Sequence, residues 1–273
     1  MTNTWLNDAS TDGVQNTTLV LIKPVGLSHW PTIKKMILNT APISRTRLVK
    51  VTESLIKEHY DEHREQGWFA QLTNYFVGRY VLAVEISADP LKIRKIIGTT
   101  KPTDPTNTDT IRGLINSLTP EDTTMTEYTK GIDNLIHGAD SEEAAAREIK
   151  LWFDSPMPQN PEYLCLTNHI LELEGAVSPF VGIQFDLQNS NALASHVTDL
   201  LEAMPWNQHW KKAGNAIPIV VVGGLTPVSI IGMQYLTTFS GRKLKFGWMN
   251  PETGELQVVD LQMVRNRATR HRR

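Results

Sequence analysis

The chain has 273 residues, of which 40% are hydrophobic and 21% are charged, and its formal net charge is −2. This length favours about two domains, and the balanced charge argues against a surface built throughout for nucleic acid or membrane. Cys165 is the only cysteine, which excludes an intrachain disulfide, and no apolar run is long enough to cross a membrane. We therefore expect a cytoplasmic protein.

The first half of the chain begins with a polar, aperiodic stretch over residues 1–17, which predicts a disordered tail. Short apolar runs then alternate with helical patterns over residues 18–153, in the order β-α-β-α-α-β-α-β. This order is typical of a ferredoxin-like α/β sandwich. Strands are predicted at 18–23, 47–52, 80–87 and 132–136, and helices at 31–38, 53–64, 68–76 and 89–97.

A single histidine, His137, comes just before a strongly predicted helix. Asp140 or Ser141 can cap that helix, and three alanines, Ala144–Ala146, favour its continuation. A neutral imidazole is a good nucleophile near neutral pH, and it can accept and release a transferred group there. A lone histidine in a loop is more often structural, so these residues alone leave both interpretations open.

Residues 133–153 read DNLIHGADSEEAAAREIKLWF, and this segment resembles the active-site segment of nucleoside diphosphate kinases. The similarity covers about residues 18–153. It implies that His137 is phosphorylated by a nucleoside triphosphate and passes the phosphoryl group to a nucleoside diphosphate. It also implies a homo-oligomer and Mg²⁺ carried on the nucleotide phosphates, without a protein metal site.

The resemblance implies a role for several further side chains. Lys23, His137 and Glu148 would be the catalytic residues, with the carboxylate orienting the imidazole. Phe69, from the aromatic pair Trp68-Phe69, would stack on the base. The nucleotide-binding set would be Lys23, Tyr60, Phe69, Arg94, Thr100, Arg112 and Asn134.

The chain departs from the pattern of the family in three places. Val25 stands where the family usually has Asp, and Ala139 stands where it usually has Ser. Neither position donates or accepts a phosphoryl group, so we expect a weakened site rather than an inactive one. The spacing from Arg112 to His137 is longer by about a dozen residues, including 120–124, in a loop that normally shapes the site and the oligomer contacts.

A second kind of site is suggested by His59 and His63, which lie four residues apart on a predicted helix. This spacing places two imidazoles on one face, where they could bind a metal ion. The sequence shows no third ligand, and a solvated helix face explains the same pattern.

Residues 154–161 contain three prolines and predict a linker over 154–160. Alternating β and α patterns follow, so residues 161–273 are expected to form a small, independently folding, Rossmann-like nucleotide-binding domain. The predicted strands are 163–166, 181–187, 217–222, 243–249 and 256–259, and the predicted helices are 192–203, one starting at 226–227, and 260–267.

Polar and small residues follow two of these strands. Asn168 and His169 come after the first, while Gly223, Gly224 and Thr226 come after the apolar strand IPIVVV. In open α/β sheets ligands bind outside the carboxyl ends of the strands, and a helix start preceded by glycines suits a phosphate. A plain turn remains the alternative, because the full GxGxxG pattern is missing.

The layout of residues 161–270 resembles small CRISPR-associated ring-nuclease proteins of type III systems. The strand leading to Asn168-His169, the segment GGLTP and the ending VVDLQMVRNRAT carry this resemblance. It implies that the second half binds or cleaves cyclic oligoadenylate, as an accessory protein in antiviral defence. This is the rival to a kinase with an appended nucleotide-binding domain. The arginine-rich end favours solvent over nucleic acid, and no duplex binding is expected.

Overall fold

The computed structural model describes residues 16–101, 104–117, 131–156, 158–169, 171–212, 214–240 and 244–270. The predicted tail, most of the insertion between Arg112 and His137, and the last three residues of the arginine-rich end lie outside these ranges. Two sheets organise the described residues, with four strands in the first and five in the second.

The first sheet is antiparallel, with strand order β2-β3-β1-β4. This order, with helices between the strands, confirms the predicted ferredoxin-like α/β sandwich over the first half of the chain. Its strands are β1 (Thr18–Ile22), β2 (Ile43–Lys50), β3 (Tyr80–Ile86) and β4 (Ile136–Gly138), and its helices are α1 (Trp30–Leu38), α2 (Glu53–His59), α3 (Phe69–Phe76), α4 (Pro90–Ile97) and α5 (Glu142–Phe153).

The residues beside two helices set where these helices begin or end. The hydroxyl of Ser141 accepts a hydrogen bond from the backbone N–H of Ala144, so Ser141 is the N-cap of α5 and Asp140 is not. Gly98 ends α4 with a φ of +89°, a conformation that glycine adopts without a Cβ penalty.

Strand β1 separates two hydrophobic layers because its side chains alternate between the faces of the sheet. Leu19 and Leu21 face the layer formed with α2, α3 and α5, which holds the buried ring of Trp152. Val20 and Ile22 face the other layer, together with α1 and α4. The first of these layers is the one from which the candidate site is built.

The second sheet has the order β6-β5-β7-β8-β9, parallel except for its last strand. No strand forms over 181–187; the turn there places Phe180 and Ile183 in the core, and 176–177 takes the edge position. The strands are β5 (Tyr163–Leu166), β6 (Ala176–Val177), β7 (Ile219–Val222), β8 (Lys245–Met249) and β9 (Leu256–Asp260), and the helices are α6 (Ser190–Glu202), α7 (Asn207–Trp210), α8 (Thr226–Ser240) and α9 (Leu261–Arg270).

One hydrophobic core connects the two sheets. Side chains of α1 and α6 belong to the same buried cluster, and the indole N–H of Trp30 donates to Asp199 at 3.1 Å. Lys34 pairs with the same carboxylate at 2.7 Å, and His196 Nε2 donates to the backbone oxygen of Leu27 at 2.8 Å. This continuity argues against the expectation that residues 161–273 fold independently.

The predicted linker is held in place at both ends. The guanidinium of Arg47 donates to the backbone oxygens of Phe153 at 2.7 Å and Ser155 at 3.1 Å. Further along, the Trp206 indole N–H donates to the backbone oxygen of Pro158 at 2.8 Å. This linker, called the strap below, is therefore tied to β2 at Ser155 and to the second half of the chain at Pro158.

No helix within the described residues combines the length and the apolar character that crossing a membrane requires.

Candidate active site

The site is built around β4, which brings His137 into the first sheet. His137 pairs with Leu21 of β1, so its imidazole faces the layer of α2, α3 and α5. Leu135, just before β4, has a φ of +70° and its oxygen accepts from the backbone N–H of Lys23 at 2.9 Å. The strand ends that carry the histidine and the lysine are thereby fixed together.

The imidazole of His137 is oriented by one carboxylate. Its Nε2 lies 3.0 Å from Oε2 of Glu148, which is 4% exposed on α5. An ionised carboxylate can only accept a hydrogen bond, so Nε2 carries the proton and the lone pair of the neutral ring is on Nδ1. The arrangement therefore presents Nδ1 of His137 as a nucleophile.

Burial and positive charge keep this imidazole neutral. Burial, together with the charges of Lys23 and Arg112, lowers the pKa of His137 to about 3. Burial raises the pKa of Glu148. At neutral pH the histidine is thus unprotonated on Nδ1, in a field that attracts anions.

Lys23 extends from the end of β1 into the same space. Its ammonium donates to the backbone oxygen of Ile132 at 2.6 Å and to Oδ1 of Asn134 at 2.9 Å. An ammonium has three donors, so one remains for an anion. Burial lowers the pKa of Lys23 to about 8, while the nearby carboxylate of Asp133 opposes that change.

Two arginines lie close to the end of β4. Arg112 donates to the backbone oxygens of Gly98 at 3.0 Å and Ile136 at 3.1 Å, and its buried Nε has no partner among the described residues. Arg94, which is more exposed, donates to the backbone oxygen of Gly138 at 3.2 Å. Burial, together with Arg94, lowers the pKa of Arg112 to about 10, so it stays charged near neutral pH.

Asn134 and Thr100 are also brought together. The Asn134 side-chain amide donates to the backbone oxygen of Thr100 at 3.1 Å, on the opposite side from its contact with Lys23. The Thr100 residue itself is exposed. The predicted set Lys23, Arg94, Thr100, Arg112, Asn134, His137 and Glu148 thus converges on one region through hydrogen bonds and shared backbone partners.

The aromatic prediction needs a correction. Phe69 is 8% exposed and lies in the hydrophobic core, because α3 begins at this residue and turns its ring inward. Trp68 is the member of the pair with an open face: it is 40% exposed, and its ring centroid lies 5.1 Å from that of His63. Tyr60 packs edge-on against His137 at 5.9 Å between centroids.

Sequence analysis missed a buried carboxylate, Asp133. Its Oδ2 accepts hydrogen bonds from the Tyr75 hydroxyl and, at 2.9 Å, from the backbone N–H of Val25. The carboxylate is completely buried and ties the turn after β1 to the segment before β4. The signal was present in DNLIHG, where Asp133 precedes Asn134, but its partners are more than fifty residues away in the chain.

His59 and His63 do not lie together as a pair of metal ligands. His59 is buried, whereas His63 is half-buried and its ring lies beside Glu62. Among the described residues, the one group of metal-ligand type is His59, His137 and Glu148, whose ligand atoms lie within 4.8 Å of one another. Two imidazoles and one carboxylate oxygen do not suit Mg²⁺, which prefers oxygen ligands in octahedral geometry.

The candidate residues of the second half also meet, at the carboxyl edge of the second sheet. Leu166 and Val222 are aligned in the parallel pair β5–β7, so the segments after both strands leave at the same edge. A Cβ placed on Gly224 would lie 3.0 Å from Oδ1 of Asn168 and 3.3 Å from the ring of His169. Thr226 begins α8 directly after this turn.

Comparison with known proteins matches the first half of the chain to one family. The nucleoside diphosphate kinase family model matches residues 16–157, just over half of the 273 residues. The chain belongs to the nucleoside diphosphate kinase family. By that membership it is a phosphotransferase, and the resemblance in residues 18–153 is confirmed. The matched range ends within the strap, before the second sheet.

Individual nucleoside diphosphate kinases match between 40% and 51% of this chain. The enzyme of Methanothermobacter thermautotrophicus is 36% identical over 110 residues, or 40% of this chain and 65% of that protein. The enzyme of Mycobacterium ulcerans is 34% identical over 143 residues, or 50% of this chain and 96% of that protein. The crystal structure of Aquifex aeolicus nucleoside diphosphate kinase covers 51% of this chain and 96% of its own, at 23% identity and a TM-score of 0.42.

Proposed function

We propose that the protein moves the γ-phosphoryl group of a nucleoside triphosphate to a nucleoside diphosphate through a phosphohistidine at His137. The observation that carries this proposal is the 3.0 Å contact between His137 Nε2 and Glu148, which leaves Nδ1 as the free nucleophile. Lys23, Arg94 and Arg112 supply the positive charge that phosphoryl transfer needs around the migrating group.

The reaction proceeds in two displacements. Nδ1 of His137 attacks the γ-phosphorus, an N–P bond forms, and the P–O bond to the β-phosphate breaks to release a nucleoside diphosphate. A terminal phosphate oxygen of the second diphosphate then attacks phosphorus, and the N–P bond breaks. The Nε2 proton stays on His137 and donates to Glu148 throughout, and Nδ1 attacks through its lone pair, so no base is needed.

The nucleotide would lie with its phosphates at Lys23 and Arg112 and its ribose beside Asn134. Trp68 offers the open aromatic face for the base, a contact that every base can make. Mg²⁺ would enter on the nucleotide phosphates, where it neutralises charge during transfer, because the described residues offer no oxygen cage for it. A homo-oligomer remains part of the proposal, by analogy with the family.

Labelling tests the proposal directly. We expect protein incubated with ATP labelled at the γ-phosphate to take up a phosphoryl group that is labile in acid and stable in base. Adding GDP should transfer the label to GTP, as a two-step exchange requires. An acid-stable label, or a label that GDP does not remove, would contradict the phosphohistidine.

The pH dependence of nucleotide capture should report on Lys23. Its pKa of about 8 means that the ammonium loses its charge as the pH rises through that value, while phosphates stay anionic. We expect kcat/KM, which follows the free enzyme, to fall above about pH 8. Lys23→Met should lower kcat/KM by roughly 10-fold to 100-fold at pH 7 and remove the alkaline limb. The exposed Lys150→Met is the matched control, and an alkaline limb that persists in Lys23→Met would contradict the assignment.

A specific observation favours a second, ligand-binding function at the carboxyl edge of the second sheet. Asn168 Oδ1 is buried without a partner among the described residues, and Gly224, with a φ of +66°, lies against it. The first N–H groups of α8 can bind a phosphate, and the amide oxygen can accept from an amino or hydroxyl group. We propose that a phosphate-rich nucleotide binds here, and cyclic oligoadenylate is the first ligand to test.

Calorimetry on the full chain tests this second site, because the two halves share a core. Cyclic tri-, tetra- and hexa-adenylate are titrated, with linear oligoadenylate and ATP as comparisons. We expect His169→Ala and Gly224→Asp to weaken binding of a cyclic ligand, with His209→Ala as a control. Absence of binding by the wild-type protein, or affinity unchanged in a folded His169→Ala variant, would reject the site.

A further inference from the structure

His59, the last residue of α2, has no role in the two-step transfer described above. It is 2% exposed, and its ring lies 4.7 Å from that of His137 and 5.5 Å from that of Trp152, measured between centroids. Trp152 and Glu148 are four residues apart on α5, so they share a helix face. His59 therefore lies beside the nucleophile and against Trp152, on the helix that carries Glu148.

Trp152 fixes the tautomer of His59. The indole N–H of Trp152 donates to His59 Nδ1 at 3.2 Å, and an indole nitrogen can only donate. Nδ1 must therefore be unprotonated, which leaves the proton of the neutral ring on Nε2. A protonated His59 would direct one N–H against another, so this contact also excludes the charged form.

The Nε2–H of His59 is a buried donor without a partner among the described residues. A buried polar group left unpaired is costly, and such groups in native structures call for an explanation. One nitrogen of His59 lies within 4.8 Å of a Glu148 oxygen, so a movement of roughly 2 Å or less would reach hydrogen-bond distance. Oε2 of that carboxylate already faces His137, and Oε1 is 3.6 Å from Arg147, beyond a hydrogen bond.

We propose that His59 is a positioning residue, whose Nε2–H donates to Glu148 when His137 is phosphorylated and so holds the carboxylate ionised and in place. The proposal rests on the proposed phosphohistidine. Phosphorylation at Nδ1 withdraws electrons from the imidazole, so its Nε2–H becomes a stronger donor and needs an ionised acceptor. Trp152 acts one step further away, by keeping the proton of His59 on Nε2.

Burial and the nearby charges keep His59 neutral, whereas burial acts against the ionised form of Glu148. Burial lowers the pKa of His59 well below its usual value, and the neighbouring His137, Arg147 and Lys23 lower that pKa as well. Burial raises the pKa of Glu148, as does Asp140, whereas His59 and Arg147 lower it. A hydrogen-bond donor to the Glu148 carboxylate lowers the pKa of that group and so opposes the effect of burial.

The same geometry argues against His59 as a metal ligand. Coordination through Nε2 would require the proton on Nδ1, where the Trp152 N–H already donates. The cluster of His59, His137 and Glu148 is thus better explained as a hydrogen-bonded unit than as a cation site.

The test compares His59→Phe, which keeps a ring but has no donor, with His59→Gln, which keeps an amide donor. In the full chain labelled beforehand with ATP, the rate at which GDP removes the acid-labile label is measured from pH 5 to pH 9, with circular dichroism to verify folding. We expect His59→Phe to be slower by about tenfold and its acidic limb to move up by about one pH unit, because Glu148 loses a donor and protonates at higher pH. His59→Gln should recover most of both quantities.

Nitrogen NMR of the wild-type imidazole gives a second readout, since the Nε2–H tautomer of His59 should become mixed in Trp152→Phe. A folded His59→Phe variant with an unchanged acidic limb, whether or not it is slower, would overturn the role of His59. A wild-type protein that takes up no acid-labile label would instead reject the proposed function, and this role would fall with it.

Discussion

Replacing His137 by glutamine is expected to abolish phosphoryl exchange between nucleotides, with a loss of roughly 10⁴-fold or more in kcat. The reason is chemical: Nδ1 is the atom that forms the N–P bond, and an amide nitrogen has no comparable lone pair. The imidazole is 23% exposed, so the substitution need not unfold the chain. Exchange is measured with ATP and GDP under initial-rate conditions.

His209→Gln is the matched control, because this half-buried histidine lies in α7 and contacts Asn215, away from the site. It should keep the wild-type rate. A His137→Gln variant that retains exchange within about tenfold of wild type would show that another group carries the phosphoryl, or that transfer is direct between the nucleotides.

Replacing Trp30 by alanine is expected to lower the free energy of unfolding by about 3–5 kcal/mol. Trp30 is 1% exposed at the junction of α1 and α6, so the change leaves a cavity in the shared core and removes the hydrogen bond to Asp199. Because both sheets pack on that core, the whole chain should unfold in one transition at a melting temperature lower by roughly 6 °C or more.

Scanning calorimetry on the full chain measures this effect. Trp248→Ala is the control, since Trp248 is 39% exposed on β8 and its removal should change the stability by no more than about 0.5 kcal/mol. Two separate transitions in the wild type, of which Trp30→Ala shifts just one, would contradict the shared core and restore two independent domains.

The sequence predicted the first three strands of the first sheet and the helix after His137 because these depend on local patterns. It placed the fourth strand at 132–136 and His137 in a loop, whereas His137 lies within β4 and pairs with Leu21. Apolar runs indicated the strands. Ser141 begins α5 as its N-cap, and Gly98 ends α4 with a positive φ. His137 and Glu148, which are eleven residues apart, are in contact because a strand followed directly by a helix leaves little freedom between them.

Other predictions failed because contacts between residues far apart in the chain decide the local structure. Phe69 and Trp68 are both aromatic, and the turn at which α3 starts determines which ring is buried. The apolar residues in 181–187 mimicked a strand, but Ile183 and Phe185 pack on the core from an irregular segment and Leu187 is exposed. Prolines in the strap restrict its backbone, yet they do not reveal that Arg47 and Trp206 hold it. The hydrogen-bond partner of His59 is Trp152, which lies ninety-three residues away in the chain.

The second half of the chain occupies part of the open edge of β2. β2 is an edge strand of the first sheet, and the backbone N–H of Leu48, in its central part, donates to the oxygen of Ala203 at 2.7 Å. Exposed edges invite another strand to pair, which leads to aggregation or to assembly by strand addition. Because this donor is already taken, a second copy that paired with β2 at Leu48 would have to displace Ala203. The second half of the chain thus protects this part of the edge against strand addition.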